Sequence, residues 1–456
     1  MQEQKLKGKI GLEIHVYLVT KEKLFCRCRN SREKGLKANV NICPICTGMP
    51  GAKPMLPNKS AVEKAVQVAL MLNCKVNESL VWQRKHYSWP DLPKGYQNTI
   101  SGGESIGIGV KGNFHGIGIW SIHLEEDPAA WDPSSGKVDY NRSGVPLIEI
   151  ITAPEFDESE QVVSWLRKLL HNLEYLKAVH KDGGIKVDVN VNIPGKTERV
   201  EIKNVNSIEN IGMAIEYELE RQGREGSEVR ETRRFDALRG VTMKMREKEG
   251  EADYRFISDP DLLNIEIDKN FVSLQKSKVP ESPQVKLEKL VKKYKIGKED
   301  ASVLAKNLEV VEFFESVSEL IDGKFALHWI TGGLLGMLNY NKVSLGEINV
   351  DVEHFVELLN EIKRGKITEL QGKEILNKFY PNSFSLKEKG VEEKITDGGE
   401  LEKICKEVLK REESVVMRYR AGEKVLLNYL IGQVMKKSEK RADFRKAKEI
   451  LERLLR

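Results

Sequence analysis

Ile10-Gly11-Leu12-Glu13-Ile14-His15-Val16 sets four aliphatic residues on alternate positions and places Gly11, Glu13 and His15 between them. Successive side chains of a strand point to opposite faces. This spacing therefore predicts a strand over 10–18 with one face for a core and another carrying an acid and an imidazole. The same alternation returns at 117–125, 145–151, 187–193 and 200–203, and each is expected to be a strand. In the 187–193 segment Asp188, Asn190 and Asn192 share the polar face, and Glu201 and Lys203 follow beyond a hairpin turn at Gly195-Lys196-Thr197. A sheet face built from acids, amides and lysine is not covering a core. At the end of the 117–125 strand, Glu125, Glu126 and Asp127 are consecutive, and their mutual repulsion is relieved where cations bind.

Outward from these strands the pattern changes. A helix interrupts the strand-rich half, with Ser60 and Glu63 expected as a capping box ahead of Val62, Ala65, Val66, Ala69 and Leu70. After the turn-rich stretch 278–283 the apolar period becomes 3.6, as in Val310, Val311, Phe314, Val317, Leu320 and Ile321, and the chain reads as helical to its end. The expected fold class is α+β: an antiparallel-sheet domain with helices over 1–280, an all-α helical domain over 281–395, and a small all-α tail domain over 396–456, with 387–399 as linker. At roughly 150 residues per domain, 456 residues suit three.

Hydrophobic residues make up 40% and charged residues 31%, which excludes a disordered or collagen-like chain. No apolar run approaches the ~18 residues of a membrane span, and the first ten residues lack the apolar stretch of a signal peptide. The expectation is a soluble, cytoplasmic protein with no membrane partner. The net charge is +5, and residues 436–456 alone hold nine basic and four acidic residues, so the tail is a candidate contact for a phosphate backbone or, more blandly, a solvated helix face.

Four of the six cysteines crowd into Cys26-x-Cys28 and Cys43-x-x-Cys46. Two short chelating loops of thiolates suit a closed, tetrahedral structural zinc; a redox reading would leave one pair unexplained. Cys74 and Cys405 read as buried packing residues. Gly107-Ile-Gly109-Val-Lys-Gly112 spells a dinucleotide fingerprint, but a strand pattern follows where the motif needs a helix. Gly195-Lys196-Thr197 lacks the preceding glycine of a P-loop. No nucleophile elbow or local glutaminase signature is present, so any ammonia the protein uses comes from elsewhere. Oxygen ligands from several strands plus one histidine fit Mg²⁺ held together with substrate phosphates, and Arg84, Lys85, Lys94, Arg142, Arg233, Arg234 and Arg255 offer balancing charge. By residues alone the reading is metal-assisted phosphoryl or nucleotidyl transfer without a P-loop.

Taken in order, the stretches KIGLEIHVYL from Lys9, LFCRC with NICPICTGMPG, RKHYSWPDLPKGYQ from Arg84, HLEEDPA from His123, DYNRSGVPLIEIIT from Asp139, VDVNVNI from Val187, VEIKNVNS from Val200, ETRRFD from Glu231 and DYRFISDPDL from Asp253 resemble the B subunits of tRNA-dependent amidotransferases, the GatCAB complexes. HWITGGLLGMLN from His328 and LIGQVMKKSEKRA from Leu430 extend the resemblance over nearly the whole chain. It implies a cradle domain, a helical domain and a tRNA-contacting tail. It also implies an ATP- and Mg²⁺-dependent ligase that phosphorylates the side-chain carboxylate of Asp or Glu esterified to tRNA and amidates it with ammonia. The implied partners are a glutaminase A subunit and a small C subunit in a heterotrimer, with misacylated tRNA as substrate.

By position the resemblance assigns Glu13, His15, Glu125, Glu126, Asp188 and Glu201 to the catalytic Mg²⁺ site and Cys26, Cys28, Cys43 and Cys46 to Zn²⁺. Lys186, Lys203, Arg142 and Arg233 are the expected contacts to the ATP phosphates. Departures are Tyr17 where many members have Gln, Lys186 where arginine is common, and Ser88-Trp89-Pro90 in place of a more usual aromatic-tyrosine-proline run; Lys186 keeps the charge but not a bidentate fork. The related archaeal E subunits carry an inserted synthetase-like domain, for which this chain has no room after residue 280. The alternative from another class is a non-catalytic, zinc-stapled tRNA-binding adaptor, against which stand the six proposed metal ligands.

Overall fold

The computed structural model describes residues 6–31, 35–179, 184–247, 254–390, 392–395 and 397–455. Residues 1–5 of the N-terminal stretch, Asp253 of the DYRFISDPDL segment and Arg456 of the tail lie outside the described residues. The chain forms two compact units, Met1–Ser282 and Pro283–Arg456.

The first unit is organised by β1 (Lys9–Tyr17), the strand of the opening motif. Its other elements are α1 (Lys59–Met71), β2 (Gln83–His86), β3 (Tyr96–Thr99), β4 (Gly109–Phe114), β5 (Ile117–Glu126), β6 (Pro146–Thr152), α2 (Ser159–Tyr175), β7 (Ile185–Asn192), β8 (Val200–Asn206), α3 (Ile208–Glu225), β9 (Glu231–Asp236), β10 (Val241–Glu247) and β11 (Arg255–Ser258), with shorter strands between. The sheet runs β10-β9-β8-β7-β1-β6-β5-β3-β2-β11, with β4 paired to β5 off that path. It is antiparallel except for β8 and β9, which run parallel, so the expected antiparallel sheet is in fact mixed. The parallel pair arises because α3 carries the chain back across the sheet between those strands.

One face of the sheet meets helices. Ile10, Leu12, Ile14 and Val16 of β1, Ile148 and Ile150 of β6, and Val187, Val189 and Val191 of β7 are almost wholly buried in a cluster with Val66 and Ala69 of α1, Trp165 and Leu169 of α2, and Ile211 and Ile215 of α3. Burying an aliphatic side chain of this size contributes roughly 1.5–3 kcal/mol, so register along β1 is strongly specified and the acids are forced to the other face. The cap of α1 differs from expectation: Asn58, not Ser60, accepts the N–H groups of Ser60 and Ala61. Ser60 already lies inside the first turn, and Asn58 is the residue before it whose side chain reaches back over the helix start. The glycine fingerprint is a β4/β5 hairpin. A Cβ on Gly112 would lie 2.4 Å from Cys74 Sγ and one on Gly107 2.8 Å from Ile122 O, so close packing explains those glycines.

The second unit is helical, with a helix at Lys269–Ser277 preceding it that the strand-rich reading had not anticipated. Its buried apolar residues form two clusters, one from Leu290 to Leu386 and one from Ile395 to Leu455. No described helix is long and apolar enough to cross a membrane.

Candidate functional site

The polar face of the sheet gathers side chains from five adjacent strands, β8, β7, β1, β6 and β5. Across β1 and β7, Glu13 is paired with Asp188 and His15 with Lys186; across β1 and β6, His15 is paired with Glu149, which in turn faces His123 of β5. Ligand atoms of Glu13, His15 and Glu149 lie within 4.8 Å of one another, as do those of Glu13, Asp188 and Glu201. Two acid-rich groups thus share Glu13.

A β-bulge builds the second group. Val187 pairs with Val205 but Val189 pairs with Ile202, so Asp188 faces two residues, Lys203 and Asn204. Asn204 sits at φ +54°, a conformation asparagine tolerates better than most residues. Its N–H consequently donates to Asp188 Oδ1 at 2.7 Å, and Lys203 Nζ lies 2.6 Å from both Asp188 Oδ2 and Glu201 Oε1. Burial works against the Lys203 charge, but Asp188, Glu201 and Glu13 outweigh it and raise its pKa.

The first group is a buried relay. Glu149 bridges two imidazoles, with His123 Nδ1 at 2.6 Å and His15 Nε2 at 3.5 Å. Burial would raise the Glu149 carboxyl, yet the two histidines hold it well below the usual carboxylate range. Burial also opposes a charge on His15, but Glu149, Glu13 and Glu125 raise it to about 9. Glu13 is pushed up to about 8 by burial and then by Glu149, against the pull of His15. Among the described residues, His15 Nδ1 is buried with no hydrogen-bond partner, an unusual state for a buried ring nitrogen. Carboxylate oxygens and one imidazole with an unpartnered ring nitrogen fit a divalent cation.

Sequence reasoning missed Glu149 as a site residue. The signal was present, because a lone acid in the run Pro146-Leu-Ile-Glu149-Ile-Ile-Thr152 is out of place in a strand that must be buried. Lys85, expected from the sequence as one of the balancing charges, does meet this group of acids: burial opposes its charge, but Glu125 and Glu149 outweigh it and raise its pKa.

The two remaining acids part company. Glu125 lies on the face of His123 and accepts from Thr99 Oγ1, Ser101 Oγ at 3.0 Å and Gln97 Nε2 at 3.1 Å. Glu126, one residue on, turns to a different network: it accepts the N–H of Asn98 at 2.9 Å and pairs with Lys94. That network continues through Asn98 to Asp259, which holds Arg84 at 3.0 Å. The four expected phosphate contacts also divide. Lys203 and Lys186 share the acidic face. Arg142 clamps the turn after β5 instead, through Asp127 at 3.0 Å and the carbonyls of Pro128 and Ala129.

Arg233 faces away from the acids. It is registered with Ile202 of the core face and bonds to Thr242 and Glu231, 3.5 Å from Glu218 of α3. Its exposed neighbour Arg234, registered with Lys203, is the arginine on the acidic side. Of the departures, Tyr17 donates to Asp127 Oδ2 at 2.8 Å. Ser88, Trp89 and Pro90 line a cleft of about 650 Å³ with His86, Tyr87 and Gly95, and Trp89 meets Trp131 edge-on at 5.6 Å.

The cysteine cluster is assembled by the loops after β1. The Sγ atoms of Cys26, Cys28, Cys43 and Cys46 lie within 4.8 Å of one another, a donor set and spacing that fit one tetrahedral soft cation. The hydrogen bond from Cys26 lowers Cys46 to about 4 against burial, while burial raises Cys28 to about 12. Cys74 and Cys405 are buried singly. In the tail, Lys437, Lys440, Arg441, Lys448 and Arg453 pair with Glu407, Glu374, Glu392, Glu452 and Glu402. Among the described residues no ion pair involves the exposed Lys436, Arg445 or Lys446.

Residues 8–273 match the family described as the GatB/GatE catalytic domain, and residues 312–455 match the GatB domain. The chain is 43% identical to the B subunit of an aspartyl/glutamyl-tRNA(Asn/Gln) amidotransferase of Methanocaldococcus jannaschii, with 99% of this chain and 98% of the relative covered. The B subunits of the same enzyme from Methanopyrus kandleri and Methanothermobacter thermautotrophicus are 40% and 39% identical, over 98% and 97% of this chain and 98% and 99% of their own lengths.

Proposed function

The chain belongs to the GatB/GatE family, and from that membership we propose that it is the B subunit of a carbon–nitrogen ligase with glutamine as nitrogen donor, acting on misacylated Asp-tRNA(Asn), Glu-tRNA(Gln) or both. The observation that carries this reading is the convergence of Glu13, His15, Glu149, Asp188 and Glu201 on one sheet face.

In this reading ATP phosphorylates the side-chain carboxylate of the esterified amino acid. Ammonia then attacks the acyl carbon and displaces inorganic phosphate, leaving the amide. Mg²⁺ supplies charge neutralisation on the phosphate oxygens. Glu13, His15, Glu149, Asp188 and Glu201 would hold it, with Glu125 beside them on β5. Lys203 balances the excess negative charge, and Lys186 and Arg234 would meet phosphate, a role their registers with His15 and Lys203 support. Glu126, through Lys94 and Asn98, positions the end of β5, and Arg233 anchors β9 to α3.

Cys26, Cys28, Cys43 and Cys46 would hold a structural Zn²⁺, closed to substrate. A glutaminase A subunit delivers the ammonia and a small C subunit completes a cytoplasmic heterotrimer. Residues 1–280 form the catalytic cradle and 281–395 the helical domain. Residues 396–456 form a basic tail that meets tRNA, which its own apolar cluster and exposed Lys436, Arg445 and Lys446 support.

The test mixes the chain with A and C partners, ATP, Mg²⁺, ammonium and tRNA charged with labelled Asp or Glu, and identifies the amino acid after ester hydrolysis. Labelled Asn or Gln that requires ATP is the expected product. tRNA binding without any amide would favour the adaptor.

A further inference from the structure

Lys23 is only 1% exposed and is among the largest fully buried side chains of the protein. An ammonium in such a place is costly unless its donors are satisfied and a negative charge lies close. All three of its N–H donors have a partner: Asn41 O at 2.8 Å, Tyr140 O at 3.1 Å and Cys46 Sγ at 3.5 Å. No carboxylate pairs with it among the described residues, so the negative charge it meets is sulfur.

The surroundings are built around that contact. The Lys23 backbone N–H donates to Cys28 O at 3.0 Å, and the next residue, Leu24, donates to Gly144 O at 2.7 Å. Ser143 Oγ donates to Cys46 O at 2.7 Å. Gly144, at φ +81°, brings its backbone against both Cys46 and Lys23. Four thiolates around a divalent cation carry a net charge of −2, and a buried site with that charge is favoured by a fixed cation at its edge. Neutral thiols would leave the ammonium with nothing but two carbonyl dipoles.

We infer that Lys23 is the counter-ion of the four-cysteine centre, a positioning residue that both offsets the charge of the metal-bound thiolates and ties the Cys43–Cys46 knuckle to the loop at Tyr140. This rests on the reading of the cysteines as a Zn²⁺ site and assigns a residue beyond the four ligands.

The experiment uses the full chain. Zinc content is measured for the wild type, and its transfer to a chromogenic chelator is timed for the wild type, Lys23→Met and Lys23→Arg. Removing a partner of a metal ligand typically weakens a site about 10–100-fold. Lys23→Met is expected to release zinc at least about tenfold faster, and Lys23→Arg to remain near the wild type. In cobalt-substituted protein, loss of the N–H···S bond in Lys23→Met should move the thiolate-to-metal charge-transfer band to longer wavelength while the tetrahedral d–d bands persist. If Lys23→Met is not recovered folded, Lys23→Gln, which keeps an N–H donor but no charge, replaces it, and the faster zinc release expected from the lost charge is the readout. A zinc-bearing wild type whose uncharged variant has unchanged release and spectrum overturns the role of Lys23 alone, as does equal acceleration in Lys23→Met and Lys23→Arg. A wild type without zinc overturns the metal reading and this inference with it.

Discussion

Lys203 extends its ammonium to within 2.6 Å of Asp188, an aspartate that the β8 bulge has already fastened through the Asn204 N–H. The pair sits where the polar sheet face is most acidic, so the fold carries an internal cation beside three carboxylates. Removing it as Lys203→Met should leave Asp188 and Glu201 buried without their partner and destabilise the metal-free chain by about 3 kcal/mol. Added Mg²⁺ should recover part of that loss. Urea unfolding with and without Mg²⁺ measures both, and an unchanged midpoint would mean the lysine is a dispensable surface charge.

Glu149 touches both His15 and His123, and Glu149→Gln keeps its shape but removes its charge. The His15 pKa should then fall from about 9 towards or below the ordinary 6.5, because burial is left less opposed. Histidine NMR titration reads this directly. ATP-dependent amide formation should fall by about 100-fold or more if the carboxylate is part of the cation site.

Glu13 carries the clearest pH dependence. Its folded pKa of about 8 lies above the ordinary 4.5, so the folded state binds the extra proton between those values. The cation-free chain therefore loses stability as pH rises from 4.5 to 8, by roughly a few kcal/mol at most. His15, raised from 6.5 to about 9, adds a loss of the same sign over that higher window. Glu13→Gln should flatten the lower part of the curve, as followed by unfolding midpoints in chelator from pH 5 to 9. A slope identical to wild type would remove Glu13 from the account.

Tail cations differ in what they can give to a phosphate backbone. Lys436, Arg445 and Lys446 are exposed, whereas Lys437 and Lys440 are already engaged by Glu407 and Glu374. Neutralising Arg445 and Lys446 together should lower the slope of log affinity for tRNA against log salt by about 1.4, near 0.7 for each phosphate no longer neutralised on a single strand and more on a duplex. Neutralising Lys437 and Lys440 should change it less. Equal slopes across all variants would make the tail a solvated helix face.

Much of the site was legible because strands repeat every two residues. Once Ile10 to Val16 faces a core, Glu13 and His15 must share the other side, and the same logic carries Asp188. Glu126 lay one residue past the expected strand 117–125, so the alternation gave it no face until the strand was seen to run on to it. Arg233 and Arg234 were ambiguous for the same cause, since neither lies in an alternating run clear enough to assign a face.

The sequence by itself determined the α+β division, the alternation that creates an acidic sheet face, the four-cysteine spacing and the family. These are local or composition-borne properties, carried by period, spacing and motif. Only the tertiary structure decided that Glu149 joins His15, that a bulge at Asn204 completes the Asp188 site, and that Lys23 ends inside the cysteine cluster. Each of those depends on registers between strands and loops far apart in the chain, which hydrophobic burial selects across the whole sheet at once.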